Sequence, residues 1–136
     1  MATFSYTLPV RFHEVDPAGI VFFARIFQYA HDACEAWLRS VGYPLDPPFH
    51  ERDYGLPLVH AEADFRSPIH TGQEVRVDLA LTSIGTTSFK VSAHLTSREG
   101  VDLATVRTVH VCVDPRTRRP IPLPAAMRAA FAPYLA

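Results

Sequence analysis

The sequence predicts an α+β domain in which one broad amphipathic helix packs against an antiparallel sheet. Three observations carry that prediction. Apolar residues recur at helical spacing from Phe23 to Val41 with no Gly or Pro between them. Downstream, four segments switch to a period of two, the pattern of half-buried strands. Brief breaks marked by Gly or Pro separate those segments, at lengths expected of hairpin connections.

The chain opens with β-formers. Residues Thr3 to His13 read as a strand, with Tyr6, Leu8, Val10 and Phe12 in one phase and Arg11 and His13 in the other. Asp16-Pro17-Ala18-Gly19 then has Asp first, Pro second and Gly fourth, the residue preference of a type I turn. In the helical segment, Phe23, Ile26, Phe27, Ala30, Ala33, Cys34, Trp37, Leu38 and Val41 make a stripe wide enough for a central, largely buried helix. Gly42 and Pro44 end it. Leu45 to Tyr54 is rich in Pro and charge and reads as a loop.

Leu56 to Phe65 is the next strand. Val75, Val77, Leu79 and Leu81 alternate with polar residues, as do Phe89, Val91, Ala93 and Leu95. Leu103 to Val113 is β-branched and mixed on both faces. The breaks fall at Ser67-Pro68, Thr71-Gly72, Gly85-Thr86-Thr87 and Glu99-Gly100. Pro115, Pro120, Pro122 and Pro124 end the sheet, and a short helix is expected from Ala125 to Tyr134. The predicted order is strand, long helix, then a four-stranded meander, all within one domain over residues 1–136.

Composition narrows the function. Of 136 residues, 48% are hydrophobic and 20% charged, with 13 basic and 14 acidic side chains. That balance gives no reason to expect nucleic acid or an anionic membrane as partner. No apolar run approaches the roughly 20 residues that span a bilayer. The two cysteines, Cys34 and Cys112, make no disulfide framework and read as reduced core thiols. The first residues lack the basic start and apolar core of a signal peptide, so a cytoplasmic location is expected.

Several chemistries are disfavoured by motif. The seven histidines form no HExxH pattern, and no metal site is expected; His31 and Glu35 share a helix face, as a surface pair or a two-ligand anchor would. There is no GxSxG elbow, GxGxxG loop or Walker-type loop. Asp16 remains. It is a natural turn-former, yet it lies just before a helix start with no Ser, Thr, Asp or Asn cap between Gly19 and Arg25. The free amides there are met either by water or backbone, or by a developing negative charge.

The run Arg11-Phe12-His13-Glu14-Val15-Asp16-Pro17-Ala18-Gly19-Ile20-Val21-Phe22-Phe23 resembles the opening of the 4-hydroxybenzoyl-CoA thioesterase family. Later segments, His31 to Leu38 and Leu56-Pro57-Leu58-Val59-His60-Ala61, are similar to 1,4-dihydroxy-2-naphthoyl-CoA thioesterases. The resemblance implies a hotdog fold, an antiparallel sheet wrapped around one long central helix. It implies hydrolysis of an aromatic acyl-CoA to the free acid and CoA, with no cofactor because CoA arrives with the substrate. It implies self-association as a homodimer or homotetramer, sheets joined edge to edge and sites at the interface.

By the same resemblance Asp16 falls on the catalytic carboxylate and the Phe23 backbone N–H on the oxyanion donor. Gly19, Val21, Phe22, Phe27, His31 and His60 are the substrate-binding candidates, with Gly19 allowing close approach and His60 meeting a ring hydroxyl. Asp32 and Glu35 are the alternative acids on the helix. The hairpin Gly85-Thr86-Thr87-Ser88 lacks the family's basic run, which leaves Arg66, Lys90 and Arg98 as candidates for the CoA phosphates. Phe23 stands where the Tol–Pal-associated branch carries His, which argues against that branch. Competing readings are a thioesterase for aliphatic acyl-CoA, a hotdog hydratase or dehydratase, and a non-catalytic acyl-CoA-binding module.

Overall fold

The alternating segments pair into one five-stranded antiparallel sheet in a computed structural model that describes residues 2–136. The strands are β1 (Phe4–Pro9), β2 (Leu58–Phe65), β3 (Glu74–Ile84), β4 (Ser88–Ser97) and β5 (Asp102–Val111). Val75, Val77, Leu79 and Leu81 of β3, and Phe89, Val91, Ala93 and Leu95 of β4, are buried as their alternation predicts.

The order β1-β3-β4-β5-β2 corrects the predicted four-stranded meander. Only β3, β4 and β5 follow one another. β2 instead pairs with β5, and residues 66–73 cross from one side of the sheet to the other. Register shifts at Leu58/His60, Leu81/Ser83 and Leu95/Thr96 interrupt the ladders, and such bulges bend strands and increase their twist.

Helix α1 (Arg25–Ser40) turns Ile26, Tyr29, Ala30, Ala33, Cys34, Trp37 and Leu38 into the core. It touches β1, β2, β3 and β5. Its regular part begins two residues later than the apolar pattern does. Phe22 to Ala24 form a turn in which Arg25 N–H donates to the Phe22 carbonyl (2.9 Å) and Ile26 N–H to that of Phe23 (3.2 Å). At the other end Gly42, at φ 95°, takes the left-handed conformation that ends the helix.

β1 is shorter than predicted. After Pro9 the chain leaves the ladder and folds into a 3-10 turn over Phe12–Glu14. The Glu14 carboxylate accepts from Arg11 N–H and from the Tyr29 hydroxyl, both at 2.8 Å. That tie breaks the strand's phase, so Phe12 is 82% exposed instead of joining the core. Helix α2 (Ala125–Phe131), extended by a 3-10 turn over Ala132–Tyr134, covers the far end of α1. Its Phe131 ring lies 4.8 Å from Trp37 and 5.0 Å from Phe89.

Candidate active site

Asp16 sits in the predicted turn. Gly19 N–H donates to the Asp16 carbonyl (2.9 Å), and Ala18 N–H donates to Asp16 Oδ1 at 2.9 Å. This Asx arrangement orients the carboxylate from within its own turn. Val15 and Val21 bridge across the base of the loop. The crossover between β2 and β3 clamps it from outside, with Val21 N–H donating to the Ile69 carbonyl at 2.7 Å. Gly19 has φ 81°, and a Cβ there would meet no atom within 4 Å. Its glycine is therefore required by backbone conformation, not by close approach of another part of the chain. Asp16, Phe12, His13 and Gly19 line an open cleft of about 530 Å³.

The helix start is uncapped. No side chain bonds to it, and among the described residues the Phe23 and Ala24 amides have no acceptor. Beside them lies an apolar cavity of about 370 Å³ walled by Val21, Phe23, Ile26, Phe65, Ile69 and Leu103. Arg66 stands at this cavity too, donating to Thr105 Oγ1 (2.8 Å) and approaching Asp102 (3.4 Å). Phe22 and Phe23 pack ring to ring at 4.8 Å but remain half-exposed or more. The Asp16 cleft and this cavity share no lining residue in the single chain.

Phe27 and His31 come together at a third, smaller cavity of about 30 Å³, with Cys34, Leu58, Thr108 and His110. His110 is a site residue that the sequence reading missed. It is 3% exposed and stacks on Phe89 at 5.2 Å. Burial lowers its pKa, so the imidazole is neutral at pH 7. Its Nδ1 lies 3.2 Å from the Leu56 carbonyl, which can only accept; the proton therefore sits on Nδ1 and Nε2 keeps a lone pair. Burial also pushes the Cys34 thiol up to about 12. The available signal was that His110 shares a phase with Val106 and Cys112, both buried, in a segment whose mixed character hid the alternation.

His60, expected at the substrate, faces the other way. The register shift between Leu58 and His60 flips the alternation, so Leu58 and Ala61 line the small cavity while His60 joins Glu62 (3.3 Å) on the opposite face of the sheet. Lys90 lies on that outer face, beside His60 and Arg107. Glu35 approaches Arg39 (3.9 Å), not His31. The Asp32 carboxyl is raised by burial and then by its neighbour Glu35. Among the described residues, no three His, Cys, Asp or Glu side chains gather as a metal site, and no helix is long and apolar enough to cross a membrane.

The family model for the thioesterase-like superfamily matches residues 10–131. A 1,4-dihydroxy-2-naphthoyl-CoA hydrolase of Synechococcus elongatus is 34% identical over 129 residues, covering 94% of each chain. The crystal structure of a 1,4-dihydroxy-2-naphthoyl-CoA thioesterase from Synechocystis superposes with a TM-score of 0.88 at 34% identity, covering 96% of each chain. A gentisyl-coenzyme A thioesterase superposes at 0.82 with 26% identity, over 94% of this chain and 98% of that one.

Proposed function

The chain belongs to the thioesterase-like superfamily, and from that membership we propose that it hydrolyses an aromatic acyl-CoA thioester to the free acid and CoA. The observation that carries this reading is the uncapped start of α1, two amides without acceptors beside an apolar cavity, in a chain whose relatives are named for aryl-CoA hydrolysis. Those relatives favour a 1,4-dihydroxy-2-naphthoyl group over 4-hydroxybenzoyl as the acyl group.

The thioester carbonyl oxygen accepts from the Phe23 N–H, where the positive end of the helix favours the charge that develops on attack. Asp16 supplies the other half of the chemistry. It either attacks the carbonyl carbon, expelling CoA thiolate and leaving a mixed anhydride that water cleaves, or accepts a proton from an attacking water. A thiolate leaves readily, so neither route needs a metal or a strong general acid. Val21, Phe22 and Phe27 offer apolar surface to the ring, and Arg66 at the cavity is the favoured cation for a CoA phosphate.

The site is completed by self-association. Among the described residues β2 has no neighbour on its outer edge, and it is exposed along nearly its whole length, including Leu58, Val59 and Phe65. An open edge of that kind is a template for another strand. Two copies joined there antiparallel make a continuous ten-stranded sheet in which α1 takes the central-helix role of a hotdog domain, and a second pairing makes the homotetramer. Two unpaired buried thiols suit a cytoplasmic setting.

The test is release of free thiol by the purified protein across benzoyl-, 4-hydroxybenzoyl-, 1,4-dihydroxy-2-naphthoyl- and aliphatic-CoA esters. Turnover is expected on the aromatic esters. Binding without thiol release, or turnover confined to aliphatic esters, refutes the proposal. Light scattering reads the oligomer.

A further inference from the structure

Three features of His110 need a common explanation. It is almost wholly buried, it carries a lone pair on Nε2, and that nitrogen has only weak partners, Thr108 Oγ1 at 3.4 Å and Cys34 Sγ at 4.0 Å. A buried acceptor that is poorly met costs stability. His110 nevertheless lines the small cavity, where Phe27, Ala30, Leu58 and Ala61 are apolar walls and His31, Cys34 and Thr108 complete the lining. A slot of about 30 Å³ holds a single small group and not a ring, so the poorly met Nε2 at its wall fits a hydroxyl donor at the edge of a ring whose body lies outside the slot.

The place of that slot follows from the sheet. The cavity beside Phe23 lies at the Phe65 end of β2, and the His110 slot at its Leu58 end. Within one protomer their linings adjoin on α1, at Ile26 and Phe27, but on β5 Leu103 of the first and His110 of the second are seven residues apart, roughly 23 Å at the strand rise, too far for a single aromatic ring held beside Leu103 to reach His110. Antiparallel pairing of two β2 edges reverses the ends. The Phe65 end of one protomer then meets the Leu58 end of its partner, and the two cavities run together.

We propose that His110 Nε2 is the specificity-determining acceptor for a ring hydroxyl on the acyl group, reached across the β2–β2 junction from the Phe23 cavity of the other protomer. This rests on the aryl-CoA thioesterase reading and goes beyond it by naming the group that selects hydroxylated rings. The hydroxyl donates to Nε2 while Nδ1–H stays on the Leu56 carbonyl, so no proton changes owner. Thr108 Oγ1 and Cys34 Sγ give way as the weaker donors.

The experiment compares kcat/KM for 2-, 3- and 4-hydroxybenzoyl-CoA with the matching fluorobenzoyl-CoA esters, in wild type and in His110→Phe. Fluorine is close in size to hydroxyl but donates no hydrogen bond. A para hydroxyl feeds electrons into the carbonyl and slows its intrinsic hydrolysis, so a preference for that ester measures recognition. Wild type is expected to favour at least one hydroxyl position by about tenfold or more, the scale of one buried hydrogen bond. His110→Phe keeps the ring stacked on Phe89 and is expected to bring that ratio close to one. Equal wild-type rates on hydroxy and fluoro esters overturn the inference while leaving thioesterase activity standing, and this arm does not depend on the variant folding. A ratio unchanged in folded His110→Phe also overturns it. No thiol release from any ester overturns both readings.

Discussion

The two ends of α1 are built on opposite terms. At the C-terminal end every device of a closed helix is present. Val41 N–H reaches the Trp37 and Leu38 carbonyls, Tyr43 N–H also donates to Leu38, and Trp37 and Leu38 are buried at 1% and 0% exposure. At the N-terminal end, among the described residues, there is no side-chain cap and two amides lack acceptors, and Phe22 and Phe23 stand 47% and 60% exposed. A cap contributes about 1 kcal/mol, so the open end forgoes stability that the packed end supplies. One helix thus anchors the fold at one terminus and keeps donors free at the other.

The sharpest way to break this division is Asp16→Asn, which preserves the turn's shape and removes the charge. A loss of about a thousandfold in kcat is expected from removal of the acid–base or nucleophilic group, with the melting temperature nearly unchanged. Near-wild-type turnover would end the catalytic assignment. At the other terminus Trp37→Ala is expected to cost about 3–5 kcal/mol in chemical denaturation, because the indole fills space against Phe89, Phe131 and Tyr134.

Next in size is Phe23→Pro. It deletes one N–H in the turn ahead of the helix, a donor that holds no backbone bond among the described residues, and should lower kcat about 100- to 1000-fold. Phe23→Ala keeps the donor and should lower it far less; equal losses in the two variants would point to the ring instead of the amide. The smallest effects come from a matched pair of glycines. Gly19 and Gly42 sit at φ 81° and 95° with open space around each. Alanine at either should cost about 1 kcal/mol through left-handed strain, but only Gly19→Ala should also change kcat/KM.

A pH series sharpens the same contrast for the small cavity. His110 is held below its ordinary value of 6.5 by burial, so the unfolded chain binds the proton more readily than the folded one. Stability is therefore fully present above pH 6.5 and is lost as pH falls. His110→Phe should flatten the fall in melting temperature between pH 7 and 5; an unchanged slope would show that other groups carry it.

Much of this architecture was legible because its signals are local. The stripe from Phe23 onward locates α1 to within two residues, Gly42 marks its stop, and alternation finds β3 and β4. The missing N-cap between Gly19 and Arg25 and the Asp16 turn were readable for the same reason, since each depends on residues within a few positions. What escaped notice depended on distant partners. The Glu14–Tyr29 bond that ends β1 joins residues 15 apart, and it turns Phe12 out of the core.

The chain by itself determined where helices, strands and turns form, and placed a carboxylate ahead of an uncapped helix, because periodicity and turn chemistry are properties of neighbouring residues. Only the tertiary structure decided that β2 crosses to pair with β5, that the bulge after Leu58 sends His60 outward, and that His110 lines the small cavity. A one-residue irregularity reverses every side chain beyond it, and a crossover is chosen by whole-sheet packing, so neither leaves a mark in the alternation itself.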